Sequence, residues 1–201
     1  MSNLHVFIDG GYLWKIVEAI NIQVILSVFT AIENIAEIIM IDGDPNIYKN
    51  IIESHAQFNH QEEYLFRKQI NDRLRWHEMC AKAGVQIELV GFKGSIRDCN
   101  LKQMGADTLL ATKMTFALTK GHNIALLTGD GDFSDSIRSM FNELMQERIW
   151  SIPSIAIWGF NTTAFSSHLR RLDRFCSVVL RDLESVTQAL IPSPIVSKSK
   201  Y

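Results

Sequence analysis

The chain has 201 residues and a formal net charge of −2 at pH 7, with 47% hydrophobic and 21% charged residues. This length suggests one domain with a modest extension, and the composition is that of an ordinary soluble protein. Because the charge balance is close to neutral, no global basic surface marks the chain as a nucleic-acid binder.

The cysteines and the apolar segments indicate a cytoplasmic protein. Cys80, Cys99 and Cys176 are odd in number and widely spaced, which favours reduced thiols over a disulfide framework or a zinc site. The most apolar region, residues 20–41, is interrupted by polar side chains and is too polar to cross a membrane. Within it, residues 22–35 fit either the core or a homodimer surface. Asp9 lies where a secretory signal would be apolar, which argues against secretion.

The first half of the chain alternates short apolar runs with amphipathic segments. Apolar residues spaced by three and four positions predict helices, and short β-branched runs predict buried strands. In order, we expect a strand (residues 4–9), a helix (12–29), a strand (36–41), a turn (42–46), a helix (61–83) ended by Gly84, a strand (85–90) and a basic loop (91–100).

The second half continues the same alternation. In order, we expect a helix (106–119), a strand (123–128), a helix (133–146), a strand (154–158), a helix (163–171) and a last strand (174–180). Residues 1–182 would form the domain, and residues 183–201 a C-terminal extension with a mobile end.

Alternating strands and helices predict an α/β fold, a three-layer sandwich with a mostly parallel, Rossmann-like central sheet. Ligands of such sheets bind beyond the carboxyl ends of the strands, near a switch in strand order. Asp9 ends the first strand, and Asp130 follows the strand of residues 123–128. Both side chains are therefore expected at the same edge of the sheet.

Two further carboxylates belong to this edge, because Asp107 and Asp132 each stand at the start of a predicted helix. Two ionised carboxylates about 4.5 Å apart repel by roughly 3–4 kcal/mol at an effective dielectric near 20. A hard divalent cation, Mg²⁺ or Mn²⁺, would explain why Asp9, Asp107, Asp130 and Asp132 converge. The alternative is that Asp107 and Asp132 are helix N-caps. Asp135 fits a structural role in the first helical turn.

Four segments, taken in order, resemble the NYN domain family of PIN-like nucleases, in its bacterial LabA-like branch. They are "VFIDGGYL", "KQMGADTLLA", "LLTGDGDFSDSI" and "TTAFSSHLRRLDRF", and the resemblance extends over roughly residues 4–180. It implies a PIN-like fold and an acidic metal site formed by Asp9, Asp107, Asp130 and Asp132. It also implies a Mg²⁺- or Mn²⁺-dependent ribonuclease that hydrolyses phosphodiester bonds, with single-stranded RNA as the expected partner.

Basic and aromatic side chains supply candidate contacts to RNA. Those expected to meet phosphate are Lys93, Arg97, Lys102, Arg170 and Arg171, although a solvated helix face explains the arginines of residues 170–174 equally well. Phe92 or Tyr12 is a candidate for stacking on a base, and packing is the more ordinary role for each.

One departure from the family pattern and a resemblance to a second family leave alternatives open. Lys113 stands where many relatives carry another aspartate, and a lysine there would displace a second cation, leaving a catalytically weak RNA-binding or interaction module. The segment "TGDGDFSD" also resembles a motif of haloacid-dehalogenase-like phosphatases, in which Asp9 would be the nucleophile. That chemistry requires an aspartate two residues later, where this chain has Gly11.

Overall fold

The computed structural model describes residues 3–16, 25, 27, 34–54, 59–95, 100–146, 153–159, 165–175, 177–183 and 185. The described strands are β1 (Leu4–Asp9), β2 (Ile35–Gly43), β3 (Gln86–Val90), β4 (Phe92–Ser95), β5 (Asn100–Gln103), β6 (Asn123–Leu127), β7 (Ile155–Gly159) and β8 (Val178–Asp182). The described helices are α1 (Gly10–Ile16), α2 (Pro45–Glu53), α3 (His60–Lys82), α4 (Ala106–Thr119), α5 (Phe133–Gln146) and α6 (Ser167–Arg170), which a 3-10 helix (Arg171–Arg174) follows.

The central sheet is parallel throughout and has the order β3-β2-β1-β6-β7-β8, whereas β4 and β5 form a separate antiparallel hairpin. The chain moves outward from β1 to β3 on one side and from β6 to β8 on the other. The strand order therefore reverses between β1 and β6, which is where sheets of this class bind ligands.

Helices cover both faces of the sheet. Alternate residues of the central strands point to opposite sides, so each face carries apolar side chains that a helix layer buries. Phe7 of β1 belongs to a core cluster that includes Phe141 of α5. Its neighbours Val6 and Ile8 belong to a second cluster on the other face, together with Trp76 of α3. The predicted three-layer α/β sandwich with a mostly parallel sheet is confirmed.

The long helices follow the predictions closely. α4 and α5 have the predicted bounds, and α3 begins one residue before its predicted start. Asn59 and Glu62 form a reciprocal capping box at the start of α3. Gly84 ends this helix with φ of 89°, a conformation that favours glycine, so the predicted helix end is confirmed.

The predicted turn at residues 42–46 is wrong in its first two residues. β2 continues through Asp42 to Gly43 because both pair with β3, opposite Leu89 and Val90. The change of direction begins at Asp44, which caps α2 by accepting a hydrogen bond from the Asn46 amide at 2.8 Å.

The predicted basic loop at residues 91–100 is also wrong in part, because both of its ends contribute strands to the β4–β5 hairpin. Phe92 lies opposite Gln103, and Lys93 lies opposite Lys102. Since side chains alternate along a strand, the Phe92 pair and the Lys93 pair occupy opposite faces of this hairpin.

Some predictions lie outside the described residues. They include most of the first helix beyond Ile16, residue Arg97, and the C-terminal residues 186–201. From the apolar region proposed as core or dimer surface, Ile25 is described and is completely buried in the core. No helix in the described ranges is long and apolar enough to cross a membrane.

Candidate metal centre

Asp9 is the last residue of β1, and hydrogen bonds fix both oxygens of its carboxylate. The backbone amide of Tyr12 donates to Oδ1 at 3.0 Å, and the Thr128 hydroxyl donates to Oδ2 at 3.0 Å. α1 begins immediately at Gly10, where a Cβ would lie 2.5 Å from the Asp42 Cβ. This glycine lets the chain turn tightly against β2, so that the half-buried Asp9 faces the switch point.

The loop after β6 is held by the same threonine. The Thr128 hydroxyl accepts a hydrogen bond from the Asp130 amide at 3.1 Å, and Asp130 Oδ1 accepts one from the Asp132 amide at 3.1 Å. The loop fits closely between its neighbours, because a Cβ at Gly129 would lie 2.5 Å from the Tyr12 ring. Asp130 and Asp132 are exposed, so the loop presents two carboxylates to solvent.

Asp107 is the second residue of α4 and does not cap it, so the capping interpretation of this residue is wrong. The N-cap position belongs to Gly105, which has φ of 76° and makes no side-chain cap. Although Asp107 is an exposed residue, partial desolvation of its carboxyl raises the pKa, and the charges of Asp130 and Asp132 raise it further. Among the described residues, no hydrogen bond to this carboxyl offsets the repulsion.

The pKa of Asp9 is also raised. Burial is the largest cause, and the hydrogen bonds from Tyr12 and Thr128 only partly oppose it. The charges of Asp107 and Asp130 raise this pKa as well. The structure thus brings together an acidic rim, which consists of Asp9, Asp107, Asp130 and Asp132, and whose members repel one another.

The donor chemistry of the acidic rim fits Mg²⁺ or Mn²⁺, since these ions prefer carboxylate and water oxygens. Within the described ranges, no three His, Cys, Asp or Glu side chains are gathered closely enough to form a ready metal cage. Mg²⁺ commonly keeps several waters and binds through one or two carboxylates.

Lys113 is directed toward the outer strand of the sheet. Its ammonium nitrogen lies 2.7 Å from Glu88 Oε1, and Glu88 belongs to β3, which β2 separates from β1. In this arrangement the charge of Lys113 neutralises a carboxylate that is not part of the acidic rim.

The four predicted RNA contacts that the structure describes occupy two exposed sites. Lys93 and Lys102 are paired across the β4–β5 hairpin, so their charges lie side by side. Arg170 and Arg171 are exposed where α6 passes into the 3-10 helix. The start of α6 lies beside the loop that carries Asp130 and Asp132, because a Cβ at Gly131 would be 2.6 Å from the hydroxyl oxygen of Ser166, the N-cap residue.

The sequence-based interpretation missed the role of Asp42, which is completely buried at the end of β2. Arg73 donates to it through two nitrogens, Gln103 Nε2 donates to Oδ1 at 2.9 Å, and His77 Nε2 lies 2.7 Å from Oδ2. Burial favours a raised pKa at Asp42, but the hydrogen bonds and charges of His77 and Arg73 outweigh it and lower the pKa. The available signal was the spacing of Arg73 and His77, which are four residues apart on one helix face.

Beside this network lies a second feature that the sequence did not indicate, a cavity of about 490 Å³. We call it the aromatic cavity; its lining residues are Trp14, Gly43, Pro45, Tyr48, Gln69, Ile70, Asp72, Arg73, Phe92 and Gln103. It adjoins the acidic rim through Gly11. A Cβ at that residue would lie 3.4 Å from Asp9 Oδ1 and 3.6 Å from Gln103 Nε2.

Comparison with known proteins supports the fold. No model of a known protein family matches the chain, and no curated protein matches its sequence. Among solved structures, the chain is similar to a protein of unknown function from Vibrio parahaemolyticus, with a TM-score of 0.56 and 16% sequence identity. The similarity covers 90% of this chain and 93% of that chain. At this level of identity it shows a shared three-layer α/β fold that extends over nearly the whole of both proteins.

Proposed function

We propose that the chain is a metal-dependent ribonuclease that hydrolyses phosphodiester bonds of single-stranded RNA in the cytoplasm. One observation carries the proposal: Asp9 lies at the switch point of the sheet, and the charges of Asp107 and Asp130 raise its pKa. Carboxylates from three separate parts of the chain thus repel one another at the position where such sheets bind ligands. The free thiol of Cys80 agrees with a reducing compartment.

The four carboxylates of the acidic rim are the proposed ligands of Mg²⁺ or Mn²⁺. When bound, the ion supplies the positive charge that activates water for attack on phosphorus and stabilises the departing 3′ oxygen. Asp9 is held for this role by hydrogen bonds from Tyr12 and Thr128, and the Asp130 backbone amide donates a hydrogen bond to the Thr128 hydroxyl oxygen. Because these hydrogen bonds fix the positions of Asp9 and Asp130, little reorganisation is needed when the ion and the substrate bind.

The proposed RNA backbone runs from the β4–β5 hairpin to the start of the 3-10 helix. Lys93 and Lys102 are exposed at one site, and Arg170 and Arg171 at the other. Because the net charge of the chain is −2, the attraction of phosphate must come from local basic groups such as these. Binding would therefore weaken as salt rises, because each phosphate contact releases condensed counterions.

A cleavage assay tests the proposal. Labelled single-stranded RNA is incubated with the protein in Mn²⁺ or in EDTA, and we expect cleavage in Mn²⁺ alone. Asp9→Asn should abolish cleavage. Asp135→Asn is the matched control, because the Asp135 side chain is 87% exposed in the first turn of α5 and is not a member of the acidic rim. Equal cleavage by Asp9→Asn and the wild type would contradict the proposal.

The phosphatase alternative gains no specific support from the geometry. The general acid of that chemistry belongs two residues after Asp9, where Gly11 contributes no side chain. A Cβ at Gly11 would have Asp9 as its nearest neighbour and Gln103 as the next nearest. Hydrolysis of a small phosphomonoester, with covalent phosphorylation of Asp9, is the result that would favour the phosphatase over the ribonuclease.

A further inference from the structure

Three aromatic side chains from different elements line the aromatic cavity: Trp14 of α1, Tyr48 of α2 and Phe92 of β4. The Tyr48 and Phe92 ring centroids are 5.1 Å apart. Phe92 packs directly on the backbone of Gly43, where a Cβ would lie 2.3 Å from the ring. Packing therefore holds these half-buried rings in place, and a flat ligand finds aromatic surfaces already positioned.

The charges around the cavity favour an uncharged ligand. Arg73, the cationic side chain among the described lining residues, is bonded to the buried Asp42, and its guanidinium lies 5.0 Å from the centre of the Trp14 ring. The lining residue Asp72 adds a negative charge. A phosphate group would meet no unpaired positive charge there, whereas Gln69 and Gln103 offer amide groups to the polar edge of a planar ring.

The size and position of the cavity connect it with the acidic rim. A volume of about 490 Å³ lies within the range of small-molecule sites and accommodates a group the size of a nucleobase. Gln103 forms part of the cavity wall and lies near the backbone of Gly11, whose other neighbour is the Asp9 carboxylate. A strand with a phosphate at the rim would thus have its adjacent base close to the cavity.

We propose that the aromatic cavity binds one unpaired base of the RNA strand, next to the phosphate that the acidic rim receives. The inference rests on the proposed function in taking RNA as the ligand. A base must leave its helical stack to enter such a cavity, so the site selects single-stranded over double-stranded RNA. Stacking on aromatic side chains also makes the site tolerant of base identity.

Binding measured by fluorescence anisotropy in EDTA tests the inference without cleavage. The probes are a labelled single-stranded RNA hexanucleotide and an abasic ribose-phosphate strand of equal length. We expect the wild type to bind the hexanucleotide about tenfold more tightly than the abasic strand. Gln69→Trp, which fills the cavity from an exposed position on α3, should bring this ratio close to one, as should Tyr48→Ala.

Asn71→Trp is the matched control, because Asn71 is exposed on the same helix and does not line the cavity. It should keep the wild-type ratio. Gln69→Trp removes no core contact, so the test survives if Tyr48→Ala fails to fold. A wild-type ratio near one, or an unchanged ratio in Gln69→Trp, would overturn the inference.

The two proposals can fail separately. Cleavage in Mn²⁺ by a wild type that shows no preference for the hexanucleotide would overturn the base site and leave the ribonuclease standing. A preference that Gln69→Trp removes, in a wild type that does not cleave RNA in Mn²⁺, would support the base site and overturn the ribonuclease.

Discussion

The Thr128 hydroxyl donates a hydrogen bond to Asp9 Oδ2 at 3.0 Å and so joins the ends of the two central strands across the switch point. The same hydroxyl oxygen accepts the Asp130 amide at 3.1 Å. Thr128 is completely buried, so this one side chain sets the relative position of two carboxylates of the acidic rim.

Replacement of Thr128 by valine tests this positioning role. Valine keeps the shape of the side chain but removes both hydrogen bonds, which should cost about 1–3 kcal/mol of unfolding free energy. Cleavage should fall by about 10–100-fold, mainly in kcat, as is usual when a residue that orients metal ligands is lost. Urea unfolding and steady-state RNA cleavage measure the two effects.

Thr128→Ser is the control, because serine retains the hydroxyl at the same position. It should recover most of the cleavage that Thr128→Val loses. If valine and serine lower the rate equally, the methyl group rather than the hydroxyl matters, and the hydrogen bonds have no positioning role.

Asp107→Asn should make the metal-free protein more stable. The pKa of Asp107 is raised, so its ionised form is disfavoured in the folded state. A group of this kind stabilises the fold below the unfolded pKa, and the contribution is lost as pH rises through the folded pKa. At pH 7 the neutral asparagine removes this cost. Because Asp107 is exposed and solvent screens the repulsion, we expect only a small rise of Tm in EDTA, about 1–2 °C, which corresponds to less than about 1 kcal/mol for a chain of this size.

Addition of Mn²⁺ should reverse this order. The wild type should gain thermal stability because an ion that binds only the folded state stabilises it, and Asp107→Asn should gain less. Asp135→Asn, whose carboxylate lies outside the acidic rim, should respond to Mn²⁺ like the wild type. A lower Tm for Asp107→Asn in EDTA would mean that its charge helps to hold the fold.

The strands that position the acidic rim could be predicted because local sequence determines them. The apolar runs of β1 and β6 are buried on both faces. Asp9 ends β1, and the loop that contains Asp130 follows β6. Alternation with helices then requires parallel strands, whose carboxyl ends share one edge. Asp107 was predicted correctly to open a helix, but the cap is Gly105, since the left-handed φ of 76° supplies the turn without a side chain.

Asp42 could not be predicted because its environment comes from distant parts of the chain. The segment "DGDPN" (residues 42–46) has the composition of a turn. Asp42 is acceptable at a buried strand position because Arg73, His77 and Gln103 form hydrogen bonds with its carboxylate. The aromatic cavity depends on the same long-range contacts. Its rings belong to three elements that meet only in the folded chain.

Asp42→Asn should destabilise the protein strongly at neutral pH. The substitution keeps the shape of the side chain but leaves Arg73 near a neutral partner in a buried site, which typically costs about 3–5 kcal/mol. The free energy of unfolding from urea titrations at pH 7 measures this cost. Glu53→Gln is the control, because its pair with Arg67 is exposed and should contribute less than about 1 kcal/mol.

The pH dependence of this difference follows from the lowered pKa of Asp42. A carboxyl whose pKa is lower in the folded state stabilises the fold above its unfolded pKa, and this contribution is lost as pH falls through the folded pKa. The difference between the wild type and Asp42→Asn should therefore be full near pH 6–7 and shrink below about pH 4. A difference that is independent of pH would exclude the charge of Asp42 as its cause.

Lys113→Met tests whether the ammonium group of Lys113 competes with a cation at the acidic rim. Its pair with Glu88 is 2.7 Å long and partly exposed, with side-chain exposures of 29% and 37%, so its loss should cost less than about 1 kcal/mol. Because the ammonium group contacts β3 rather than the rim, the Mn²⁺ concentration for half-maximal cleavage should not change. Glu88→Gln removes the same ion pair from the other side and should behave identically. A lower Mn²⁺ concentration for half-maximal cleavage in Lys113→Met, but not in Glu88→Gln, would show that the lysine occupies the place of a second ion.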